Sequence, residues 1–377
     1  MSRAIAFSSY GDPDVLHLID VPEPHPGTGE VRVHVRAAGV QPFDCAFRRG
    51  DLQRLLAARF PQMLGNDFAG VVDEVGDGVT TASAGDHVVG FCTRAAYAEH
   101  LVVPAAQVVA RPPSLPWDAA GGLSASGQTA YSALRDLGVG PGDTLLVHAA
   151  AGGVGSVAVQ LAREWGAQVI GTASEPNHDF LRSLGARPVS YGPGLAERVR
   201  AVAPEGITVA LDCIGGEAVP ISIELAGGPE RVGTIADRGA VATYGVRRPG
   251  GERSAQNLAE LVRLHTAGRL RLTVQAAIPL ARAAMPTARS RPATSGARWS
   301  SSPEPPAVAG AWREGSVEAD GPVVVQHPAG VVGDLPRVAV GVDEDAGVAA
   351  PDGGRAPSAD RRPCVGRSLQ DLVDGGR

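Results

Sequence analysis

The stretch HAAAGGVGSVAVQLAREWGAQVIGTAS, residues 148–174, decides how the middle of this chain folds. It follows the apolar run TLLV and leads through an amphipathic segment to a second apolar run. Ala150, Gly152 and Gly155 occupy the small-residue positions of the pattern G-x-G-x-x-G. Small residues permit a tight turn, let backbone N–H groups approach a pyrophosphate and let a helix, predicted over 154–165, lie close to the sheet. The order strand, turn, helix, strand therefore predicts a dinucleotide-binding unit. The alternative is a glycine-rich turn that only packs the helix on the strand.

The end of the second predicted strand bears on the choice of dinucleotide. An NAD site carries a carboxylate about twenty residues beyond the first glycine, where it binds the ribose diol. Here Thr172 and Ser174 stand at the strand end, so nothing repels a 2′-phosphate. The sequence therefore favours NADP(H) over NAD(H). Glu175 follows one residue later, and a carboxylate turned inward there would reverse the preference.

Composition and charge exclude several classes of protein. The chain has 377 residues, 44% of them hydrophobic and 4% aromatic, with a net charge of −6. This length favours two domains, and the weak acidity without a basic stripe argues against a nucleic-acid partner. No apolar run reaches the roughly eighteen residues of a membrane span, and the N-terminus does not resemble a signal peptide. We therefore expect a soluble cytoplasmic protein with no membrane partner.

The pattern of apolar runs changes near residue 116. Residues 1–115 contain short valine-rich runs broken by Gly-Asp pairs, which predicts a compact, mostly antiparallel β domain. Beyond residue 116, apolar strands alternate with helical patterns, which is typical of βαβ units around a parallel sheet. The fold class predicted from the residues is therefore α/β.

Several motifs together resemble the medium-chain dehydrogenase/reductase superfamily, in particular its zinc-independent NADPH:quinone oxidoreductase-like branch. They cover roughly residues 1–284 and are GVQPFD (39–44), GNDFAGVVDEVGDGV (65–79), AGDHVVGF (84–91), YAEHLVVPA (97–105), GQTAYSAL (127–134), PGDTLLVHAAAGGVGSVAVQLA (141–162) and LDCIGG (211–216). The resemblance implies a GroES-like β-rich substrate domain at 1–115, a Rossmann doubly wound parallel-sheet NADP-binding domain at 116–255 and a return to the substrate domain at 256–284.

The resemblance also implies positions for the cofactor. The backbone of Ala150, Gly152, Gly153, Val154 and Gly155 would hold the pyrophosphate of NADP(H). The 2′-phosphate would face Ser174 and Tyr191, with Asn177 in place of the lysine that often completes this site; Thr129, Ile214 and Gly215 would lie near the nicotinamide. An ordinary strand tyrosine is the alternative for Tyr191.

A catalytic zinc ion is not expected. Where related alcohol dehydrogenases carry zinc ligands, this chain has Gln41, Asn66 and, approximately, Ala125. Zinc requires thiolate, imidazole or carboxylate ligands, so we predict no metal site.

Without zinc, the acceptor must already be electrophilic. Gln41 is the candidate catalytic residue, because its amide N–H could donate to a carbonyl oxygen as charge develops there. Thr129 is the second candidate, and Phe43 and Phe47 could line the pocket of a flat substrate. The alternatives are a loop glutamine bonded to backbone for Gln41 and simple core packing for the two phenylalanines.

The implied function is hydride transfer from NADPH to a quinone or an α,β-unsaturated carbonyl bound between the domains. Two alternatives stay open: an enoyl-thioester reductase of a polyketide-type pathway, and an NADPH-binding protein without turnover. Many members of the branch are homodimers, so a homodimer is possible here.

The segment 285–377 departs from the family. Members usually end with a helix of the type AHRALxxG and a strand GKVVL, whereas this chain reads MPTARSRPATSGARWSSSP at 285–303. A shifted reading of the codons from Met285 permits AHRALATGDVRGKVVLVT. We therefore predict that the tail beyond about Met285 is out of frame, through a natural frameshift or a sequencing error, and is mostly disordered, which would leave the substrate domain without a strand and a covering helix. A genuine extension is the alternative.

Overall fold

The computed structural model describes residues 1–283 and 323–326. The helices are α1 Pro42–Arg49, α2 Trp117–Gly121, α3 Leu123–Asp136, α4 Gly153–Glu164, α5 His178–Leu184, α6 Leu195–Val202, α7 Ala218–Ala226, α8 Arg238–Tyr244 and α9 Ala255–Thr266. The strands are β1 Ser2–Phe7, β2 Leu16–Val21, β3 Glu30–Val40, β4 Gln62–Met63, β5 Asp67–Val75, β6 His87–Phe91, β7 His100–Pro104, β8 Val108–Ala110, β9 Thr144–Val147, β10 Gln168–Ala173, β11 Arg187–Ser190, β12 Val209–Asp212, β13 Val232–Thr234, β14 Ala276–Pro279 and β15 Val323–Gln326.

The N-terminal part is a β domain built around the long strand β3. This strand pairs with β5 and β7 in antiparallel fashion, and the sheet runs on through β6 to β8. Buried valines alternate along β3 because successive side chains point to opposite faces of a sheet. The predicted GroES-like β-rich domain is confirmed. Strand β3 ends at Val40 and leads directly into α1, so the residue between them, Gln41, lies at the carboxyl end of a rigid strand.

The middle part is a five-stranded parallel sheet in the order β11-β10-β9-β12-β13. Its central strands β9 and β12 are mostly apolar and buried, as expected for strands covered by helices on both faces. The chain reverses direction across the sheet between β9 and β12, and ligands bind at such a switch point outside the carboxyl ends of the strands. The predicted Rossmann-type fold is confirmed. Helix α4 spans Gly153–Glu164, so each of its ends lies one residue earlier than in the predicted range 154–165.

The chain returns to the β domain through α9 and β14. Arg253, just before α9, donates to the carbonyl oxygens of Asn66 (2.7 Å) and Cys92 (2.8 Å) and so ties this segment to the first domain. The domain boundaries at 115, 255 and 284 stay predictions. In the described part of the chain, no helix is long and apolar enough to cross a bilayer.

Residues 323–326 correct one prediction about the tail. Strand β15 lies between β14 and β3, antiparallel to the first and parallel to the second, with Val323 opposite Ala37 and Gln326 opposite Val40. The predicted loss of a strand from the substrate domain is therefore wrong, whereas the prediction of a mostly disordered tail stays a prediction. The sequence VVVQ is rich in β-branched residues, and β3 beyond its pairing with β7 offers it an open edge. The rest of 284–377 lies outside the described residues, so the predicted frameshift there stays a hypothesis.

Candidate active site

The turn between β9 and α4 has the geometry that binds a pyrophosphate. Ala149 opens it with a positive φ of 52°, and the N–H of Gly152 donates to the carbonyl oxygen of Ala149 at 2.9 Å. Gly152 is the N-cap of α4, and Gly153 and Val154 form its half-buried first turn. The first N–H groups of a helix lack partners within the helix and carry the positive end of its dipole. They are therefore available to phosphate oxygens.

Two small residues are required by close backbone contacts. A Cβ atom at Gly155 would lie 2.4 Å from the carbonyl oxygen of Ala149, so no larger residue fits without moving the turn. Ala150 is fully buried, and its N–H donates to the carbonyl oxygen of Thr172 at 3.0 Å. The turn is therefore held against both α4 and β10.

Thr172 is committed to the protein interior. It is 2% exposed, and its Oγ1 accepts from the N–H of Ala149 at 3.3 Å and lies 3.4 Å from Nδ1 of His148. Burial lowers the pKa of His148 to about 4, so this ring is neutral at pH 7. Ser222 donates its only hydroxyl proton to the carbonyl oxygen of Ala218, so Nε2 of His148 must be the donor in its 2.9 Å contact with Ser222. Thr172 therefore supports the turn, and its hydroxyl group faces the protein interior.

Ser174, Asn177 and Tyr191 come together at the edge of the sheet. Ala173 of β10 and Ser190 of β11 are register partners in parallel strands, so Ser174 and Tyr191 leave the sheet side by side. Asn177 donates its amide Nδ2–H to Oγ of Ser174 at 3.0 Å, and Tyr191 is 46% exposed. Glu175 is exposed in a short turn. The predicted residues therefore share one polar surface.

Sequence reasoning missed two basic residues beside this surface. His178 places Nε2 at 3.4 Å from both the Ala173 carbonyl oxygen and Oγ of Ser190. Arg198 donates to the carbonyl oxygens of Ser190, Tyr191, Gly192 and Pro193. Arg198 lies in the first turn of α6, the helix that follows β11. A basic residue in that turn is the sequence signal that could have identified it. Arg198 supplies positive charge where the expected lysine is replaced by Asn177.

The Gln41 side chain is held by two other side chains. Gln41 is 8% exposed; its Nε2 donates to Oδ2 of Asp67 at 3.3 Å, and its Oε1 accepts from Oγ of Ser126 at 3.0 Å. Ser126 is on α3, close to Thr129. These contacts fix which end of the amide is the donor and leave one Nε2 proton uncommitted. The Gln41 side chain is also the acceptor of a capping box with the backbone N–H of Asp44, so the alternative of a glutamine bonded to backbone stays open beside the catalytic one.

Asp67 and Asp44 form a buried acidic pair beneath Gln41. Oδ2 of Asp67 also accepts from the N–H of Ala125 at 3.0 Å, whereas Oδ1 is buried without a hydrogen-bond partner among residues 1–283 and 323–326. Burial raises the pKa of Asp67 to about 7, and the nearby Asp44 adds to this shift while Arg253 opposes it. Burial likewise raises the pKa of Asp44 to about 6, although Asp44 accepts from the N–H groups of Gln41 and Gly65. Sequence reasoning gave neither carboxyl group a role.

The residues at the zinc-ligand positions do not fit zinc. Asp67 brings two of these positions together, because it accepts hydrogen bonds from the Gln41 amide and from the Ala125 N–H. At the third position, the Asn66 side chain donates to Asp44 at 3.0 Å. An amide, an amide and an alanine replace the thiolate and imidazole that zinc prefers. Among residues 1–283 and 323–326, no group of three or more His, Cys, Asp or Glu is arranged to hold a metal ion.

The other predicted residues differ in accessibility. Thr129 is half-buried on α3, and its hydroxyl donates to the carbonyl oxygen of Ala125 at 2.7 Å. Ile214 and Gly215 follow β12, and the Asp212 carboxylate accepts from both of their N–H groups, at 3.0 and 2.9 Å. Asp212 thereby fixes this loop at the carboxyl end of the parallel sheet.

The two phenylalanines of α1 play unequal parts. Phe47 is fully buried in the core of the β domain and packs edge-on against Phe7 at 6.0 Å between ring centroids. Phe43 stacks on Phe47 at 5.8 Å and is 38% exposed. Phe43 is therefore the one that a substrate could reach directly, and Phe47 is a core residue that supports it.

Family models match both domains of this chain. Residues 27–113 match the alcohol dehydrogenase GroES-like domain, and residues 153–276 match the family described as zinc-binding dehydrogenase. The 2-haloacrylate reductase of Burkholderia sp is 34% identical over 256 residues, which cover 65% of this chain and 73% of that protein. The chain belongs to the medium-chain dehydrogenase/reductase superfamily. The resemblance stated from the sequence is thus confirmed.

Two other curated proteins are also similar to the chain. The synaptic vesicle membrane protein VAT-1 homolog of Rattus norvegicus is 33% identical over 250 residues, 65% of this chain and 59% of that protein. The pikromycin polyketide synthase component PikAII of Streptomyces venezuelae is 37% identical over 283 residues, 69% of this chain and 7% of that protein. The chain thus spans about three fifths of the first relatives that it matches.

Two solved structures share the fold. The quinone oxidoreductase from Coxiella burnetii superimposes with a TM-score of 0.67 and 28% identity, over 87% of this chain and 99% of that one. Mycobacterial Rv1454c complexed with NADPH superimposes with a TM-score of 0.68 and 26% identity, over 87% of this chain and 100% of that one. The second structure holds NADPH within this fold.

Proposed function

We propose that this protein is an NADPH-dependent, zinc-free oxidoreductase that reduces a quinone or an α,β-unsaturated carbonyl compound. The observation that carries the proposal is the Gln41 amide, which is fixed by Asp67 and Ser126 at the position where zinc would otherwise polarise a carbonyl. The names of the Coxiella quinone oxidoreductase and the Burkholderia 2-haloacrylate reductase support the reaction class. The NADPH complex of the mycobacterial relative supports the cofactor.

The cofactor-binding residues fit NADP(H). The helix N-terminus at Gly153 and Val154 suits the pyrophosphate, and Ser174 and Tyr191 offer hydroxyl groups for a 2′-phosphate. Arg198 adds positive charge and His178 adds a ring nitrogen, and the exposed Glu175 is the one carboxylate in the adjoining turn. Thr129, Ile214 and Gly215 would lie by the nicotinamide. When bound, the reduced nicotinamide supplies the hydride.

The protein's own residues would orient and polarise the acceptor. The free Nε2 proton of Gln41 donates to the acceptor oxygen, and this hydrogen bond strengthens as negative charge develops there. Phe43 provides an apolar surface for a flat ring. No described side chain stands out as a proton donor to carbon, so we propose that water supplies the final proton. The remaining expectations of a cytoplasmic location, a small-molecule substrate, no nucleic-acid partner and a homodimer stay predictions.

The test is NADPH oxidation with p-benzoquinone and with cyclohexenone, together with fluorescence titrations of NADPH and NADH. Tight binding that prefers NADPH and turnover of either acceptor would support the proposal. For Gln41→Leu we expect kcat to fall about 10²- to 10³-fold, with the Kd for NADPH unchanged. Gln53→Leu, at an exposed position in the same domain, is the matched control. Equal kcat values for the two variants would remove Gln41 from the mechanism.

Two alternatives have distinct outcomes. The alignment with PikAII favours an enoyl-thioester reductase as the second candidate. Reduction of a thioester-linked enone but not of the free enone would identify that activity. NADPH binding without reduction of any acceptor would instead indicate a binding protein without turnover.

A further inference from the structure

Arg94 is a partly buried cation for which the described chain provides no acceptor. Its Nε atom is buried without a hydrogen-bond partner, and neither of its other guanidinium nitrogens has an acceptor among residues 1–283 and 323–326. The guanidinium carbon lies 4.9 Å from the ring centroid of Phe47. By contrast, the partly buried Arg253 places both arms on carbonyl oxygens.

The backbone at Arg94 is also strained. Its φ is +56°, in the left-handed region, where a residue with a long side chain is uncommon. Such conformations persist where the surroundings impose them, and they cluster at ligand-binding sites. Burial, with Arg59 nearby, lowers the pKa of Arg94, whereas Tyr10 acts in the opposite direction.

Arg94 adjoins the candidate active site. Its N–H donates to Oδ1 of Asn66 at 3.3 Å, and Nδ2 of Asn66 donates to Asp44, which in turn accepts from the N–H of Gln41. Phe43 stacks on the ring that the guanidinium contacts. The cation therefore lies on the α1 side of the site, against the Phe47 ring on which Phe43 stacks.

We propose that Arg94 is an anion-binding residue of this site, and that the natural acceptor carries a carboxylate or phosphate group. A guanidinium offers donors in a planar fork that matches the oxygens of either anion, and partial desolvation strengthens such a pair. The apolar part of the same molecule would lie against Phe43. The assignment of this anion to the electron acceptor rests on the proposed function, whereas anion binding itself does not.

Calorimetric titration of the full chain with benzoate, phenyl phosphate and neutral benzamide tests the inference, with and without NADP⁺. We expect one of the two anions to bind at least tenfold more tightly than benzamide, and the tighter one identifies the charged group. Arg94→Asn should abolish this preference, since asparagine tolerates the left-handed backbone, and Arg94→Lys should retain part of it. Arg182→Gln, which removes an exposed arginine paired with Asp179, should leave it unchanged. Thermal melting checks that the variants fold.

Two results would overturn the inference: no preference for either anion in the wild type, or a preference that survives in Arg94→Asn. A turnover comparison of p-benzoquinone with a carboxylated benzoquinone separates this inference from the proposed function. Turnover of both acceptors with the same kcat/KM ratio in wild type and Arg94→Asn would remove the anion site and keep the reductase. Anion binding through Arg94 without turnover would keep the anion site and remove the reductase activity.

Discussion

The Gln41 amide donates to the Asp67 carboxyl group at 3.3 Å, and the other oxygen of that carboxyl group has no hydrogen-bond partner in the described part of the chain. A buried, unpaired carboxylate oxygen is costly, which favours the protonated acid. Asp67 therefore orients the candidate catalytic amide and at the same time makes the region around it sensitive to pH.

Asp67→Asn should stabilise the protein above neutral pH. Burial raises the pKa of Asp67 to about 7, so the native state keeps a proton that the unfolded chain releases near pH 4. The free energy of unfolding should therefore fall as the pH rises from about 4 to about 7, and then level off. Asparagine does not titrate, so we expect a gain on the order of 2 kcal/mol at pH 8 and little change at pH 4.

Urea unfolding of wild type and Asp67→Asn across this pH range measures the effect. Asp179→Asn is the control, because the Asp179 side chain is 95% exposed. Asp44 also has a raised pKa, so part of the slope should remain in Asp67→Asn. Identical pH profiles for Asp67→Asn and wild type would contradict the prediction.

The role of Asp67 could not be predicted from the sequence, whereas the dinucleotide turn could. The turn is a local pattern, which the size and spacing of Ala150, Gly152 and Gly155 predict. The partners of Gln41 come from positions 26 and 85 residues away, on β5 and α3. No local periodicity reports such a contact. The resemblance placed Gln41 at the site, and only the fold shows what holds it.

Gly155→Ala should damage the dinucleotide turn. The added Cβ atom would meet the Ala149 carbonyl oxygen at 2.4 Å, and backbone cannot yield as a flexible side chain can. We expect a loss of about 1–3 kcal/mol in the free energy of unfolding and at least about tenfold weaker NADPH binding. Gly140→Ala is the control, since its Cβ atom would meet nothing within 4 Å. Wild-type melting and NADPH affinity in Gly155→Ala would show that the turn can open.

Ser174→Asp should move the cofactor preference from NADPH toward NADH. A carboxylate at this strand end repels a 2′-phosphate and can accept from the ribose diol. We expect the ratio of the two Kd values, measured by fluorescence titration, to shift at least about tenfold, which is about 1.4 kcal/mol. Ser183→Asp on the exposed face of α5 adds the same charge elsewhere. An unchanged ratio would place the 2′-phosphate away from Ser174.

Ending the chain at residue 320 should loosen the strand that leads to Gln41. Without β15, residues Ala37–Val40 of β3 lose a paired neighbour. We expect faster amide hydrogen exchange at these four residues and a lower melting temperature than in a chain that ends at residue 340 and retains β15. Equal exchange in the two chains would mean that β15 adds no protection. Resequencing of the DNA across codons 280–290 would test the sequencing-error part of the reading-frame hypothesis separately.

Strand β15 was missed because the tail was judged by its overall composition. Valine runs are short there, and no helix or hairpin pattern surrounds Val323–Gln326. A strand that adds to an existing sheet needs only a few residues and an open edge, and the edge of β3 is a property of the folded domain. The local sequence therefore predicted the helices and strands that have a local pattern of their own. It did not predict β15, which depends on the open edge of β3.

Because β15 pairs through its main chain, its position in the sheet beside β3 can accept different sequences. The β15 register is set by backbone hydrogen bonds to β3 and β14, which any short apolar segment without proline can supply. A gene that loses its original ending can therefore acquire a substitute strand from unrelated sequence, provided that the chain is long enough to reach. A domain of this fold would then stay folded after a frameshift near the 3′ end of its gene. Selection could afterwards act on the new C-terminal segment.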